Sequence, residues 1–134
     1  MDESRLNAIP LFAGLSRKER RAVAQRADEI DLEEGRRIVK EGEFSYEFFA
    51  ILEGTAEVWR GDQLLAELGT GDFFGEMGLV DDLRRNATVV AQSPLTVVVM
   101  TGQAFRQTAR ELPGVAKQIQ KAIEERTRHL EPLT

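Results

Sequence analysis

Residues 73–91 read FFGEMGLVDDLRRNATVVA, and this segment contains the residues that best indicate the fold and the function of the chain. It lies between two segments with strand character, but it is too rich in glycine and charge to be a simple hairpin. Gly75 and Gly78 would let the backbone approach a ligand closely. Residues 77–79 could begin a short helical turn whose free N–H groups point at an anion. The pattern predicts a binding loop.

Two charged side chains in this loop suit a phosphorylated sugar. Arg85 precedes Asn86 and Ala87 at the entrance to a strand, where a guanidinium could form a charge-assisted bond with phosphate oxygens. Glu76 could accept a hydrogen bond from a ribose hydroxyl, because an ionised carboxylate only accepts. From residue types alone, a pair of ordinary surface charges remains an alternative.

Short β-rich segments surround the loop and are separated by glycines. Such spacing is typical of a sandwich or barrel, with glycines at the corners. In one segment, Leu64, Ala66 and Leu68 alternate with Leu65 and Glu67, which predicts one inward face. The predicted strands are Ile30–Leu32, Arg37–Lys40, Tyr46–Leu52, Thr55–Arg60, Gln63–Leu68, Ala87–Ala91 and Leu95–Met100, with corners at Gly35, Gly42, Gly54, Gly61, Gly69 and Gly71.

Helical spacing marks both ends of the chain. Ser16 and Glu19 form a capping-box pattern that predicts a helix to about Asp28, with inner positions at Ala22, Val23 and Ala27, after a shorter helix over Arg5–Phe12. Further helices are predicted over Gln103–Arg110 and from Pro113, which suits a first helical turn. Val115, Ile119, Ala122, Ile123 and Leu130 form an apolar stripe that could pack on the barrel, face a second copy or cover a ligand.

The predicted architecture is therefore α+β: an antiparallel β-roll of the jelly-roll barrel type, flanked by N-terminal helices and a C-terminal helix. We expect one domain over residues 1–134, with helices in 1–28, the roll in 29–101 and helices in 102–131. The binding loop, 74–91, belongs to the roll.

Composition excludes several function classes. The chain has no cysteine and one histidine, so thiolate chemistry and most metal sites are improbable. A net charge of −5 argues against nucleic acid or anionic membrane as a partner, and the basic group Arg17, Lys18, Arg20 and Arg21 reads as a solvated helix face. No apolar run reaches about 18 residues and no secretory signal is visible, so a cytoplasmic protein is expected.

The loop and its flanks resemble a known family. The run Phe74-Gly75-Glu76-Met77-Gly78-Leu79, with Arg85-Asn86-Ala87-Thr88-Val89 beginning nine residues after Glu76, is similar to the phosphate-binding cassette of the cyclic nucleotide-binding domain family, the type found in catabolite activator protein and protein kinase A regulatory subunits. IPLFAGLS, EEGRRIVKEGE, FFAILEGTAEV and the Gly71-Asp72-Phe73 approach extend the likeness over nearly the whole chain.

The resemblance implies a regulatory module rather than an enzyme, with cAMP or cGMP as ligand and no cofactor. It assigns the ribose 2′-hydroxyl to Glu76 and the cyclic phosphate to Arg85. It implies supporting backbone donors at Met77, Gly78 and Ala87, and a base resting on apolar residues. The ligand-binding residues implied are Phe74, Gly75, Glu76, Met77, Gly78, Arg85, Asn86, Ala87, Val58 and Leu65, with Arg126, His129 and Leu130 as candidates for a helical cap over the base.

Two residues depart from the family pattern, in which proline often precedes the cassette arginine and a small residue follows it. Here Arg84 and Asn86 stand at those positions. Asparagine both donates and accepts, so base selectivity stays open, with cAMP favoured over cGMP. A degenerate member that binds partners without nucleotide is the alternative. No effector domain is recognised in the sequence, so we expect a protein effector in trans or a homodimer.

Overall fold

The architecture comes from a computed structural model that describes residues 1–44, 47–75, 85 and 87–128, without the side chains of 122, 123 and 125–128. Its helices are a 3₁₀ helix at Glu3–Ala8, then α1 (Pro10–Ala13), α2 (Arg17–Gln25), α3 (Gly102–Glu111) and α4 (Pro113–Arg128). Its strands are β1 (Asp28–Leu32), β2 (Arg37–Val39), β3 (Glu47–Glu53), β4 (Ala56–Arg60), β5 (Gln63–Leu68), β6 (Phe73–Phe74), β7 (Thr88–Ala91) and β8 (Leu95–Thr101).

The strands form two antiparallel sheets, ordered β1-β8-β3-β6 and β2-β7-β4-β5. This arrangement confirms the predicted roll with helices at both ends. Each of the seven predicted strands is present within a residue or two of its expected limits. β6 was not predicted, because its two residues pair with Phe49 and Ala50 of β3 and are too short to carry a pattern.

β3 is the central element because both of its faces are buried. Phe48, Ala50 and Leu52 pack into one core, formed with the helices, whereas Phe49 and Ile51 pack into a second core between the sheets. This double burial accounts for the continuous apolar run FFAIL, which an amphipathic strand would not have.

The N-terminal helices differ from prediction at two points. The capping box is confirmed: the Glu19 N–H donates to Ser16 Oγ at 3.1 Å and the Ser16 N–H donates to Glu19 Oε1 at 2.9 Å. α2 nevertheless ends at Gln25, because Asp28 already pairs with Val99 of β8. The single helix predicted over Arg5–Phe12 is interrupted because Ile9, which precedes Pro10, is held in an extended conformation.

A bulge corrects the prediction for β5. Val58 pairs with Ala66 but Trp59 pairs with Leu64, so Leu65 is an extra residue in its strand. The alternation is therefore lost, and Leu64, expected to face inward, is 43% exposed.

The apolar stripe of α4 packs, at its described positions, against the body of the domain. Val115 and Ile119 are buried in the helix-side core with Phe105 of α3. The side chains of Ala122, Ile123 and Leu130 lie outside the described residues. No helix in the described part of the chain has the length and apolar character needed to span a membrane.

Candidate functional site

Arg85 is the predicted site residue whose surroundings are best defined. It stands just before β7, and only 4% of its surface is exposed. Its Nη1 donates to the carbonyl oxygen of Gly75 at 3.0 Å, and its Nη2 donates to that of Glu47. The guanidinium therefore joins the two ends of the site, one at the start of β3 and one just after β6.

The backbone of Arg85 is held as firmly as its side chain. Its N–H donates to the carbonyl of Glu43 at 2.6 Å, and its own carbonyl accepts from the N–H of Gly42 at 2.8 Å. These bonds anchor residue 85 to the connection that follows β2. The guanidinium is thus presented from a fixed backbone, which reduces the entropy that binding would cost.

The guanidinium of Arg85 has hydrogen-bond donors left for an anionic ligand. Burial lowers the pKa of the guanidinium, while the nearby Glu47 acts in the opposite direction. Among the described residues, no carboxylate forms an ion pair with it. Two carbonyls use only two of the five N–H donors of a guanidinium, so capacity remains for a charge-assisted bond to an anion.

Gly75 makes this geometry possible. Its φ of +94° is one that side-chain-bearing residues rarely adopt. A Cβ on this residue would lie 2.7 Å from Arg85 Nη1 and 2.8 Å from the Glu47 carbonyl oxygen. The site needs glycine here for both reasons.

A small cavity of about 80 Å³ opens beside the guanidinium. This volume is well below the range of about 300–1,000 Å³ typical of small-molecule sites, and it suits one compact group rather than a whole nucleotide. The cavity is lined by Ile38, Val39, Lys40, Glu43, Phe44, Glu47 and Arg85.

The apolar residues expected to support a base lie in the core between the sheets. Val58 and Phe74, like the expected backbone donor Ala87, have no exposed surface, and Phe74 stacks on Phe49 with 5.1 Å between ring centroids. Leu65 is partly exposed and packs against the same core. Their contact with a base stays a prediction.

Several predicted site residues lie outside the described residues. They are Glu76, Met77, Gly78 and Asn86, together with the alternative anchor Arg84 and the side chains of the cap candidates Arg126, His129 and Leu130.

Apart from Gly75, the hydrogen-bond partners of Arg85 were missed by the sequence reasoning. These contacts use backbone groups of Gly42, Glu43 and Glu47. Because every residue type has the same backbone groups, no sequence pattern predicts such contacts. Lys40 and Phe44 line the cavity and were also missed. Within the described chain, no group of three or more metal-ligating side chains is assembled.

Comparison with known proteins decides the family. The sequence model described as "Cyclic nucleotide-binding domain" matches residues 29–111, which cover the whole roll and α3. The chain belongs to the cyclic nucleotide-binding domain family. The predicted resemblance is thereby confirmed, and the match covers the described Arg85 and Gly75.

Relatives in this family include kinase regulatory subunits. The cAMP-dependent protein kinase regulatory subunit of Mycosarcoma maydis is 34% identical over 122 residues, covering 84% of this chain and 23% of that protein. The corresponding subunit of Schizosaccharomyces pombe is 29% identical over 106 residues, covering 78% of this chain and 26% of that protein. The chain thus spans about a quarter of the length of the curated relatives it matches.

Solved structures of the family share the fold. A structure titled "cAMP bound PfPKA-R (141-441)" has a TM-score of 0.86 at 25% identity, covering 94% of this chain and 44% of that one. Catabolite activator protein of Thermus thermophilus has a TM-score of 0.81 at 28% identity, covering 90% and 59%. The regulatory subunit of a cAMP-independent protein kinase A from Trypanosoma brucei also reaches 0.81, at 25% identity, covering 90% and 45%.

Proposed function

We propose that this chain is a regulatory module that senses a cyclic nucleotide, with cAMP preferred over cGMP. The observation that carries the proposal is the buried guanidinium of Arg85, which is held by backbone carbonyls and forms no ion pair with a described carboxylate. A cyclic phosphate would accept a charge-assisted hydrogen bond from this guanidinium in a setting where burial strengthens the attraction.

The residues of the proposed site contact different parts of the ligand. Arg85 binds the cyclic phosphate and Glu76 the ribose 2′-hydroxyl. Backbone N–H groups at Met77, Gly78 and Ala87 support the phosphate, and Gly75 admits the close approach. Asn86 contacts the phosphate or the base. Phe74, Val58 and Leu65 form the apolar side of the base pocket.

The route from the site to the C-terminal helices is short. Glu47, whose carbonyl accepts from Arg85, pairs with Thr101 at the end of β8. The Thr101 Oγ1 in turn accepts from the Ala104 N–H at 3.1 Å and caps α3. We propose that phosphate binding changes the hold of Arg85 on Glu47, which shifts the start of α3 and with it α4. Such a shift requires the ligand to prefer one helix position.

The module is proposed to act through another molecule rather than by catalysis. Its relatives are named as regulatory subunits. We propose a single domain over residues 1–134 whose effector is a separate protein or a second copy. Neither a cofactor nor a metal is part of the proposal.

Calorimetric titration with cAMP and with cGMP tests the function. We expect the wild type to bind at least one of them, and Arg85→Ala to weaken binding by at least about 1.5 kcal/mol, the lower range for a hydrogen bond to a charged group. Arg84→Ala is the matched control, since it removes the neighbouring guanidinium, and it should change the affinity much less.

Arg85→Ala could also act by loosening the fold, so Arg85→Lys accompanies it. Lysine keeps the charge but cannot reproduce a planar fork of donors to two carbonyls. Circular dichroism melts of all variants separate a lost fold from a lost contact. If no nucleotide binds folded wild-type protein at millimolar concentration, the proposed function is wrong.

A second candidate is an interaction module that binds no nucleotide. Both hydrogen bonds of the guanidinium to described residues are to backbone carbonyls, so Arg85 has a structural role without any ligand. The Trypanosoma brucei structure, described as cAMP-independent, matches the fold as well as catabolite activator protein does. Failure of both nucleotides to bind, with Arg85→Ala still destabilising the fold, would support this candidate.

A further inference from the structure

The turn between β1 and β2 has a charge pattern that reverses about its central glycine. Residues 33–37 read EEGRR, and all five are exposed; we call this segment the charged tip. On moving outward from Gly35, each glutamate on one side corresponds to an arginine on the other, Glu34 to Arg36 and Glu33 to Arg37. The charged tip contains none of the residues assigned to the nucleotide site, so the proposed function does not account for its charges.

The backbone of the charged tip is held in one shape. The Arg36 N–H donates to the Glu33 carbonyl at 3.2 Å, which closes the turn. The Gly35 N–H donates to the Ala91 carbonyl at 2.7 Å, and the Ala91 N–H donates to the Arg36 carbonyl at 2.9 Å. These bonds attach the turn to the end of β7. A segment already fixed in this way loses less conformational entropy when it binds a partner.

The four charged side chains of the tip are not used within the chain. Among the described residues, no ion pair and no side-chain hydrogen bond involves any of them. By contrast, four other arginines in the described part of the chain form ion pairs with glutamates. Two carboxylates and two guanidinium groups are therefore adjacent along the chain, exposed and available to a second molecule.

We propose that the charged tip binds the charged tip of a second copy of this chain, related by a two-fold axis at Gly35. In such a contact the same surface is used twice, so that residue i meets residue j and j meets i. Antiparallel passage of the two tips places Glu33 opposite Arg37 and Glu34 opposite Arg36, in both directions. Gly35 contributes no side chain at the axis, and a Cβ there would meet nothing within 4 Å.

The charge pattern favours a second copy over a partner of a single charge. An acidic segment would be attracted to Arg36 and Arg37 but repelled by the two glutamates that precede Gly35. A basic segment would meet the opposite difficulty. A partner whose own charges reverse in the same order is attracted along the whole tip, and this chain carries that order.

We expect the contact to be reversible and sensitive to salt. Exposed ion pairs are individually weak, and a contact between two turns is smaller than a permanent interface. The distance over which charges act falls from about 10 Å at 0.1 M salt to about 3 Å at 1 M. The proposal selects the second copy from the two kinds of effector proposed above, and its regulatory meaning rests on that function.

Sedimentation equilibrium of the full chain, at up to about 1 mM because small interfaces are weak, measures the association. Two variants make the tip uniform in charge: Arg36→Glu with Arg37→Glu, and Glu33→Arg with Glu34→Arg. Each alone should associate at least about tenfold more weakly than the wild type, since like charges then face each other. An equimolar mixture of the two should recover association to within about threefold of the wild type, because every contact is again between opposite charges.

Lys18→Glu with Arg21→Glu is the matched control. It lowers the net charge by the same amount as the first variant, at exposed positions of α2, and should change the association by less than about twofold. Raising the salt from about 0.1 M to about 1 M should weaken the wild-type association at least about fivefold. Circular dichroism of each variant confirms that it is folded.

Several results would overturn the proposal. The wild type could remain a monomer at about 1 mM, where even a weak contact is populated. The two tip variants could associate as the wild type does, which would assign the association to another surface. The control could weaken it as much as the tip variants do, or the mixture of folded variants could fail to associate.

Nucleotide calorimetry on the same samples separates the two proposals. Salt-sensitive association through the tip without nucleotide binding would support the contact and refute the sensor. Nucleotide binding by a chain that stays monomeric would refute the contact and leave the sensor intact.

Discussion

Replacing Gly75 with alanine should damage the protein far more than the same change at Gly35. The two glycines have nearly the same φ, +94° and +88°, so both variants incur the strain of a left-handed conformation, about 1–2 kcal/mol. They differ in their surroundings. A Cβ at Gly35 meets nothing within 4 Å, whereas one at Gly75 lies 2.7 Å from Arg85 Nη1 and 2.8 Å from the Glu47 carbonyl oxygen.

The additional cost at Gly75 follows from those two contacts. Contacts this short require Arg85 to leave its place or the backbone of β3 to move. Loss of one hydrogen bond from a charged donor costs about 1.5–3 kcal/mol. A smaller unfolded-state entropy offsets the cost in both variants by about 0.4–1 kcal/mol. We therefore expect losses of about 1 kcal/mol for Gly35→Ala and about 3 kcal/mol for Gly75→Ala.

Urea unfolding followed by the fluorescence of Trp59, the sole tryptophan, measures both losses. The double variant Gly75→Ala with Arg85→Ala completes a mutant cycle. Arg85→Ala removes the guanidinium and with it one of the two short contacts that a Cβ at residue 75 would make. Gly75→Ala should therefore cost less in the Arg85→Ala background than in the wild type. If Gly75→Ala and Gly35→Ala agree within about 0.5 kcal/mol, or if the cycle is additive, the reasoning about the Gly75–Arg85 approach is refuted.

Three further predictions concern the frame around the site. Ser16→Ala removes the side-chain cap of α2 and should cost about 1 kcal/mol in urea unfolding. The pKa of Glu111 is lowered, chiefly by its hydrogen bond from Arg26, so its contribution to stability is present above the unfolded pKa and is lost as the pH falls through the native pKa. Glu111→Gln should therefore destabilise the protein less at pH 3 than at pH 7. Phe48→Ala empties a fully buried position in the helix-side core and should cost about 3–5 kcal/mol in urea unfolding.

Controls for these predictions come from exposed positions. Lys18→Ala, within α2, should leave the urea midpoint nearly unchanged, and Phe44→Ala, at a side chain that is 54% exposed, should cost far less than Phe48→Ala. A cap loss no larger than that of Lys18→Ala would contradict the first prediction. If Glu111→Gln destabilises the protein equally at both pH values, the second prediction is contradicted. If Phe44→Ala and Phe48→Ala lower the free energy of unfolding by similar amounts, the third prediction is contradicted.

The sequence by itself determined the elements whose signals are local. The capping box at Ser16 depends on residues three positions apart, and the apolar run FFAIL predicts the central strand β3. Glycines at corners such as Gly54 and Gly71 have the positive φ that turns require. The cassette could be recognised because its side chains stand at a set spacing along the chain.

Only the tertiary structure decided the features that depend on distant partners. The bulge at Leu65 arises from the pairing of β5 with β4, and β6 exists because β3 lies beside it. Arg85 is held by carbonyls of Gly75 and Glu47, and the charged tip is fixed by its bonds to Ala91 of β7. Backbone carbonyls are common to all residues and cross-strand partners are set by packing of the whole domain, so neither leaves a mark in local sequence.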